Sequence, residues 1–131
     1  MKPENQKPKA LKVKAWKLMS ELVRRKHADE NGYLKCFTCD KIQHWTDVDA
    51  GHGIGGRGNY VLFLEEIIKP QCKVCNGYNG GRYEVFLIKL IELYGTEQVQ
   101  EWANNARKPF KRTRKDYIEL IDELYERLEQ L

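Results

Sequence analysis

At 131 residues, 41% of them hydrophobic, the chain suffices for one domain with a modest core and is too short for two. No apolar run approaches the roughly 20 residues of a membrane span, and the polar start at residues 1–9 lacks the apolar stretch of a signal peptide. The reading is a protein of a reducing cytoplasm with no membrane partner. The net charge of +4 conceals an alternation: residues 1–35 carry +6, 36–102 carry −3, 103–115 carry +6 and 116–131 carry −5. Two basic blocks around an acidic, cysteine-bearing centre point to a polyanionic partner, most simply nucleic acid. Solvated helix faces are the plainer alternative.

Residues 1–9 read as a disordered tail and 10–131 as a single domain. Leu11, Ala15, Leu18, Met19, Leu22 and Val23 follow helical spacing, which predicts a helix over 10–28. Its other face carries Lys12, Lys14, Lys17, Arg24 and Arg25, candidate contacts to a nucleic-acid backbone. Turn residues 29–32 end it, and 42–46 read as a short strand. Five glycines then crowd between Gly51 and Gly58, with the basic Arg57 among them. Such density excludes regular structure and predicts a mobile loop or a close approach of backbone. Residues 60–64 read as a strand, and 76–81 as a loop. Tyr83, Phe86, Leu87, Leu90, Ile91 and Tyr94 mark a helix that closes at Gly95, with Thr96 as N-cap of a short helix through Trp102. The basic stretch Arg107, Lys108, Lys111, Arg112, Arg114 and Lys115 leads into a last helix striped by Tyr117, Leu120, Ile121, Leu124, Tyr125, Leu128 and Leu131. That stripe serves either the core or the two-fold contact of a homodimer. A core over 33–95 is thus flanked by a basic N-terminal helix and by C-terminal helices over 96–131.

The chemistry lies in the centre. Cys36-Phe37-Thr38-Cys39 and Cys72-Lys73-Val74-Cys75 are separated by 32 residues. Four thiolates from two tight knuckles hold one tetrahedral zinc, and in a reducing compartment metal explains them better than disulfides or free thiols. A site of that kind has no open coordination position, which leaves His52, the one histidine of the glycine-rich segment, available as a general base. His27 and His44 are weaker candidates, one ending a basic helix and one in a strand near the zinc. Asp49 and Asn76 are the natural oxygen ligands for a separate divalent ion, Mg²⁺ or Mn²⁺, with Asp47 and Glu65 in reserve. Their plainer roles are a turn carboxylate and a helix N-cap. Three residues separate Asp49 from His52, which on an extended strand puts the two side chains on opposite faces. The spacing fits a treble-clef zinc site in an α+β unit of two strands and a helix, like the ββα-metal core of HNH nucleases.

Cys36-x-x-Cys39, Asp49-Ala50-Gly51-His52, Phe63-x-Glu65, Gln71-Cys72-x-x-Cys75-Asn76 and Leu90-Ile91-x-x-x-Gly95 together resemble the NinG/Rap family of lambdoid phages over about residues 30–131. The resemblance implies metal-dependent, structure-specific cleavage of branched recombination intermediates, such as Holliday junctions and D-loops, in the host cell cytoplasm. Gly51 stands where most HNH sites carry an acidic or histidine ligand, and Ile67 where they carry an asparagine, a place Asn59 could fill. A zinc-stabilised DNA-binding module without catalysis is the alternative from a different class. A restriction or homing HNH enzyme is the alternative within the nucleases.

Overall fold

Proline suits the first turn of a helix, where its missing N–H is not needed, and α1 accordingly spans Pro8–Lys26. The computed structural model describes residues 7–55 and 59–131. The helix therefore begins inside the stretch read as a tail. Residues 1–6 of that tail, and the candidate DNA contact Arg57, lie outside the described residues. Leu11, Ala15, Met19, Leu22 and Val23 form the buried stripe of α1, as their spacing requires.

Two small antiparallel sheets follow, so the class is α+β. In the first, β1 (Tyr33–Lys35) pairs with β2 (Ile42–His44), and the first cysteine knuckle forms the turn between them. The strand expected over 42–46 stops at His44, where Trp45–Asp47 tightens into a 3₁₀ turn. In the second, β3 (Val48–His52) pairs with β4 (Ile68–Cys72), setting Asp49 opposite Gln71 and His52 opposite Ile68.

The strand expected over 60–64 is not formed. Asn59–Leu62 is instead a single helical turn, α2. Both described sheets are two-stranded, and β3 and β4 already pair with one another. The 60–64 segment closes on itself, Leu64 N–H bonding the Val61 carbonyl at 3.3 Å, and drops Val61 and Phe63 into the core. Strand propensity is overridden by that burial.

The described part of the glycine-rich segment, through Gly55, includes regular structure at Gly51, against expectation, and the expected close approach of backbone at Gly53. Gly51 lies within β3, and a Cβ on Gly53 would stand 2.5 Å from atoms of Phe86 and Leu90. Beginning inside the second knuckle, Val74–Tyr78 forms a wide helical turn. Helix α3 (Tyr83–Tyr94) closes at Gly95, whose φ of +88° favours glycine. Helix α4 spans Thr96–Asn105, three residues beyond the expected end, and Thr96 is its first residue, with Gly95 in the cap position. Helix α5 (Arg114–Glu129) opens on a capping box of Thr113 and Asp116.

The first and last helices pack against each other. Tyr117, Ile121, Leu124 and Leu128 of α5 share one core with the α1 stripe. Most of the stripe that could have served a dimer is thus spent inside the chain. Glu65 pins the same corner, accepting from Lys26 of α1 and from Arg127 Nη2 of α5 at 2.9 Å. The Arg127 hydrogen bonds, helped by Lys26 and opposed by burial, hold the Glu65 carboxyl down at about 2. Glu65 is therefore a strut between helices and not a reserve metal ligand.

The four cysteines converge as their spacing predicts, with all sulfurs within 4.8 Å of one another. Cys39 Sγ and Cys72 Sγ are 3.8 Å apart, the separation expected of two sulfurs about 2.3 Å from one tetrahedral zinc. Burial opposes ionisation of Cys36, but backbone groups of Cys72, Thr38 and Cys39 and the Thr38 hydroxyl outweigh it and bring the thiol to about 6. The donor set and its spacing fit zinc.

Removing one of these ligands should remove the metal and the fold together. Structural zinc contributes about 10–16 kcal/mol at neutral pH in small domains. Wild type is expected to carry roughly one zinc per chain, and Cys72→Ser to lose it and to unfold or aggregate. Zinc content by atomic absorption, read beside a thermal melt, checks this. A metal-free Cys72→Ser protein with a cooperative, wild-type melt would contradict it.

Candidate functional site

Strand β3 packs against α1, and its residues border a cavity of about 580 Å³. His52 and Asp49 both line it, together with Asn76, Lys73, Arg24 and Trp16. The whole of β3 borders this cavity, Asp49 and His52 included. They sit at opposite ends of one short strand that is itself a wall of the cavity.

His52 is held on two sides. Its ring stacks on Trp16 of α1, with centroids 4.8 Å apart and planes at 27°. Its Nε2 lies 3.1 Å from the Leu62 carbonyl. A carbonyl can only accept, so Nε2 carries the proton of the neutral ring and Nδ1 keeps the lone pair. Burial lowers the His52 pKa below its ordinary 6.5, against the smaller opposing effect of the Leu62 bond. The ring is neutral at pH 7 and able to take a proton. Helix α2, expected from its composition to be a strand, is what supplies that carbonyl.

Asp49 and Asn76 are also brought together. Asn76 Nδ2 donates to Asp49 Oδ2 at 3.1 Å, and Lys73 Nζ donates to Asp49 Oδ1 at 2.8 Å. Burial works against the Asp49 carboxylate, but the bonds from Lys73 and Asn76 and the charges of Lys73 and Arg24 outweigh it. The carboxylate is held below its usual range and is ionised. A carboxylate beside an amide suits a hard divalent cation such as Mg²⁺ or Mn²⁺. His27 and His44 are elsewhere: His27 Nδ1 meets the Val23 carbonyl at 2.8 Å, and His44 Nδ1 meets Thr46 Oγ1 at 2.8 Å.

The basic residues fall into two groups. Lys17, Arg107, Lys108, Lys111, Arg114 and Lys115 are exposed. Several others are used within the chain. Lys12 donates to Asn59 Oδ1 at 2.7 Å, Arg25 pairs with Glu21, and Lys14 stands over the Tyr125 ring. Arg24 donates to the Trp45 carbonyl at 3.2 Å while lining the cavity. Arg112, expected on DNA, lies over the rings of Phe63 and Phe110 and donates to the Asn59 carbonyl at 2.7 Å. It is a packing residue, because a half-buried guanidinium between two aromatic faces is already desolvated.

Sequence reasoning missed Trp16, Lys73 and Gln71. Lys73 was visible as a lone charge inside the second knuckle, and Gln71 as the polar residue before it. Trp16 gave no signal, since it lies beside the helical stripe and not in it.

Comparison with curated proteins and with solved structures returns no match. The family model described as bacteriophage lambda NinG protein matches residues 2–131, almost the whole chain. The chain belongs to the bacteriophage lambda NinG family.

Proposed function

We propose that this protein is a metal-dependent DNA endonuclease acting on branched recombination intermediates such as Holliday junctions and D-loops. The observation that carries the reading is the meeting of three parts in one cavity: a neutral histidine with a fixed tautomer, an ionised carboxylate, and an amide beside it. The order of elements supports an HNH-like ββα-metal core. Strand β3, paired with β4, carries both Asp49 and His52, and the turn holding Cys75 and Asn76 leads toward α3. Membership of the phage family supports the recombination setting.

In this reading His52 Nδ1 takes the proton from the attacking water, which the Leu62 carbonyl makes possible by holding the other ring proton. Trp16 keeps the imidazole plane fixed and excludes water from one face. Asp49 and Asn76 would hold the divalent ion. That ion, when bound, neutralises charge developing on the phosphate and its leaving oxygen. Arg24 adds positive charge at the same wall of the cavity. The exposed basic residues Lys17, Arg107, Lys108, Lys111, Arg114 and Lys115 carry the backbone attraction.

The competing reading, a zinc-stabilised binding module, draws on the Lys73–Asp49 ion pair, which would serve as a structural contact there. Labelled four-way junction and linear duplex, each incubated with Mg²⁺ or with EDTA, separate the two. Cleavage of the junction only with Mg²⁺ is expected, with junction bound at least about 10-fold tighter than duplex, or ~1.4 kcal/mol. Binding without cleavage under every divalent ion would establish the module. Equal affinity for both substrates would leave an HNH nuclease without branch selectivity.

His52→Ala should lower the cleavage rate by about 10²–10⁴ while junction affinity stays within a few-fold, because the basic surface is untouched. An undiminished rate in single-turnover assays would move the base to another group.

Salt dependence sorts the basic residues. Replacing Lys108 and Lys111 with Ala should flatten the log–log slope of binding by about 0.9 for each phosphate that the protein no longer neutralises. Arg112→Ala should instead lower the melting temperature, since Arg112 is packed between rings. An unchanged slope for the double variant would make that segment a solvated linker.

A further inference from the structure

Gln71 is fully buried near the end of β4, next to Cys72, and its amide is held by two acceptors. Nε2 donates to the Gly81 carbonyl at 2.9 Å and to Thr38 Oγ1 at 3.0 Å. Because a carbonyl only accepts, the amide is locked in this orientation. Its Oε1 then faces the other way, buried and without a hydrogen-bond partner, a situation native interiors seldom leave unresolved.

The surroundings of that oxygen are specific. It stands 1.9 Å from the point where a Cβ on Gly51 would be, and Asn76 Oδ1 stands 2.9 Å from the same point. Two oxygen acceptors thus crowd one position. At the other end of the Asn76 side chain, Nδ2 faces the Asp49 carboxylate. The amide therefore presents its donor where a cation would need an oxygen, and its oxygen on the Gly51 side, where the unpartnered Gln71 oxygen also lies. The two ends of an asparagine amide exchange by a half-turn about one bond, the Cβ–Cγ bond.

We infer that Gln71 is a positioning residue for Asn76: when a divalent cation takes Asp49, the Asn76 amide turns over, giving its N–H to Gln71 Oε1 and its oxygen to the cation. The inference rests on the proposed reading of Asp49 and Asn76 as the cation site. Asp49 Oδ1, now bonded by the Lys73 ammonium, passes from that positive charge to the metal. Gln71 cannot make the complementary turn, because Gly81 and Thr38 hold it. The same arrangement accounts for Gly51 in the position before the histidine. Any side chain there would occupy the space of the Gln71 oxygen, so the metal's orienting partner comes from the neighbouring strand. Partners of this kind set the direction of a ligand's lone pair, and losing them typically weakens metal affinity about 10–100-fold.

The test uses zinc-loaded protein with Mn²⁺ as probe, its affinity read by electron paramagnetic resonance, for wild type, Gln71→Met and Asp49→Ala. Wild type should bind Mn²⁺, Asp49→Ala should lose it, and Gln71→Met should keep its zinc yet bind Mn²⁺ about 10-fold or more weakly. Gln71→Met binding Mn²⁺ as wild type does, with Asp49→Ala still deficient, would overturn the role of Gln71 and leave the cation site standing. Absence of Mn²⁺ binding by wild type would overturn both. A second measurement needs no variant: in wild type saturated with Mg²⁺, the Asn76 side-chain amide protons should show a nuclear Overhauser effect to Gly51 Hα that is missing before Mg²⁺ is added. No such signal in the Mg²⁺-saturated protein would overturn the inference, including where Gln71→Met fails to fold.

Discussion

Four sulfurs within 4.8 Å of one another cannot all be thiolates without a cation among them, since like charges at that range repel by several kcal/mol at protein dielectric. A zinc ion held by the four would turn this repulsion into attraction, and much else follows from where the cluster is placed. It joins the turn of the first sheet to the end of β4, two pieces otherwise linked by contacts such as the Phe37 N–H to Pro70 carbonyl bond and Gln71 to Thr38. The turn over Val74–Tyr78 follows directly from the end of β4 and brings Asn76 to Asp49 on the facing strand. The catalytic proposal therefore depends on a metal that takes no part in the chemistry.

The second dependence is on the helices outside the core. Trp16 of α1 stacks on His52. Lys12 of α1 and Arg112 before α5 both hold Asn59, the first residue of the turn whose Leu62 carbonyl orients the histidine. The terminal helices are thus part of the site's support and cannot be treated as separable DNA-binding attachments. The basic side chains divide between these tasks. Lys12, Arg24 and Arg112 are half-buried and spent on contacts within the chain, while Lys17, Arg107, Lys108 and Lys111 are exposed. A DNA strand lying on residues 107–111 would press on the same segment that braces α2, since the Phe110 carbonyl accepts from Asn59.

What could be read in advance was local or covalently spaced. The zinc ligands came from two CxxC pairs, the helix positions from 3.6-residue periodicity, and the Gly95 cap from glycine's access to positive φ. Asp49, Asn76 and His52 were singled out by residue type and neighbourhood, and the structure brings all three to one cavity. The misreadings share a cause: partners distant in sequence. Residues 60–64 have strand composition, yet β3 and β4 already pair together, so the segment folds into the core as a helical turn. Arg112 lies in a run of basic residues, and only the tertiary fold brings Phe63 to it. Glu65 lost its reserve role to Lys26 and Arg127, 39 and 62 residues away. The Gly51 departure, puzzling as sequence, is explained by one atom of the neighbouring strand.

The central claim is that His52 acts as a base while neutral, with its tautomer fixed by Leu62 and its pKa depressed by burial. A group whose folded pKa is lowered stays uncharged until the pH falls below its ordinary value, so its activity is complete at neutral pH and lost in acid. The most direct measurement sets the His52 titration, followed by NMR, beside the pH dependence of single-turnover junction cleavage with Mg²⁺. One shared inflection below the ordinary 6.5 is predicted, with a rate that falls as His52 becomes charged. A His52 pKa at or above 6.5, or a cleavage rate that passes unchanged through its titration, would contradict it.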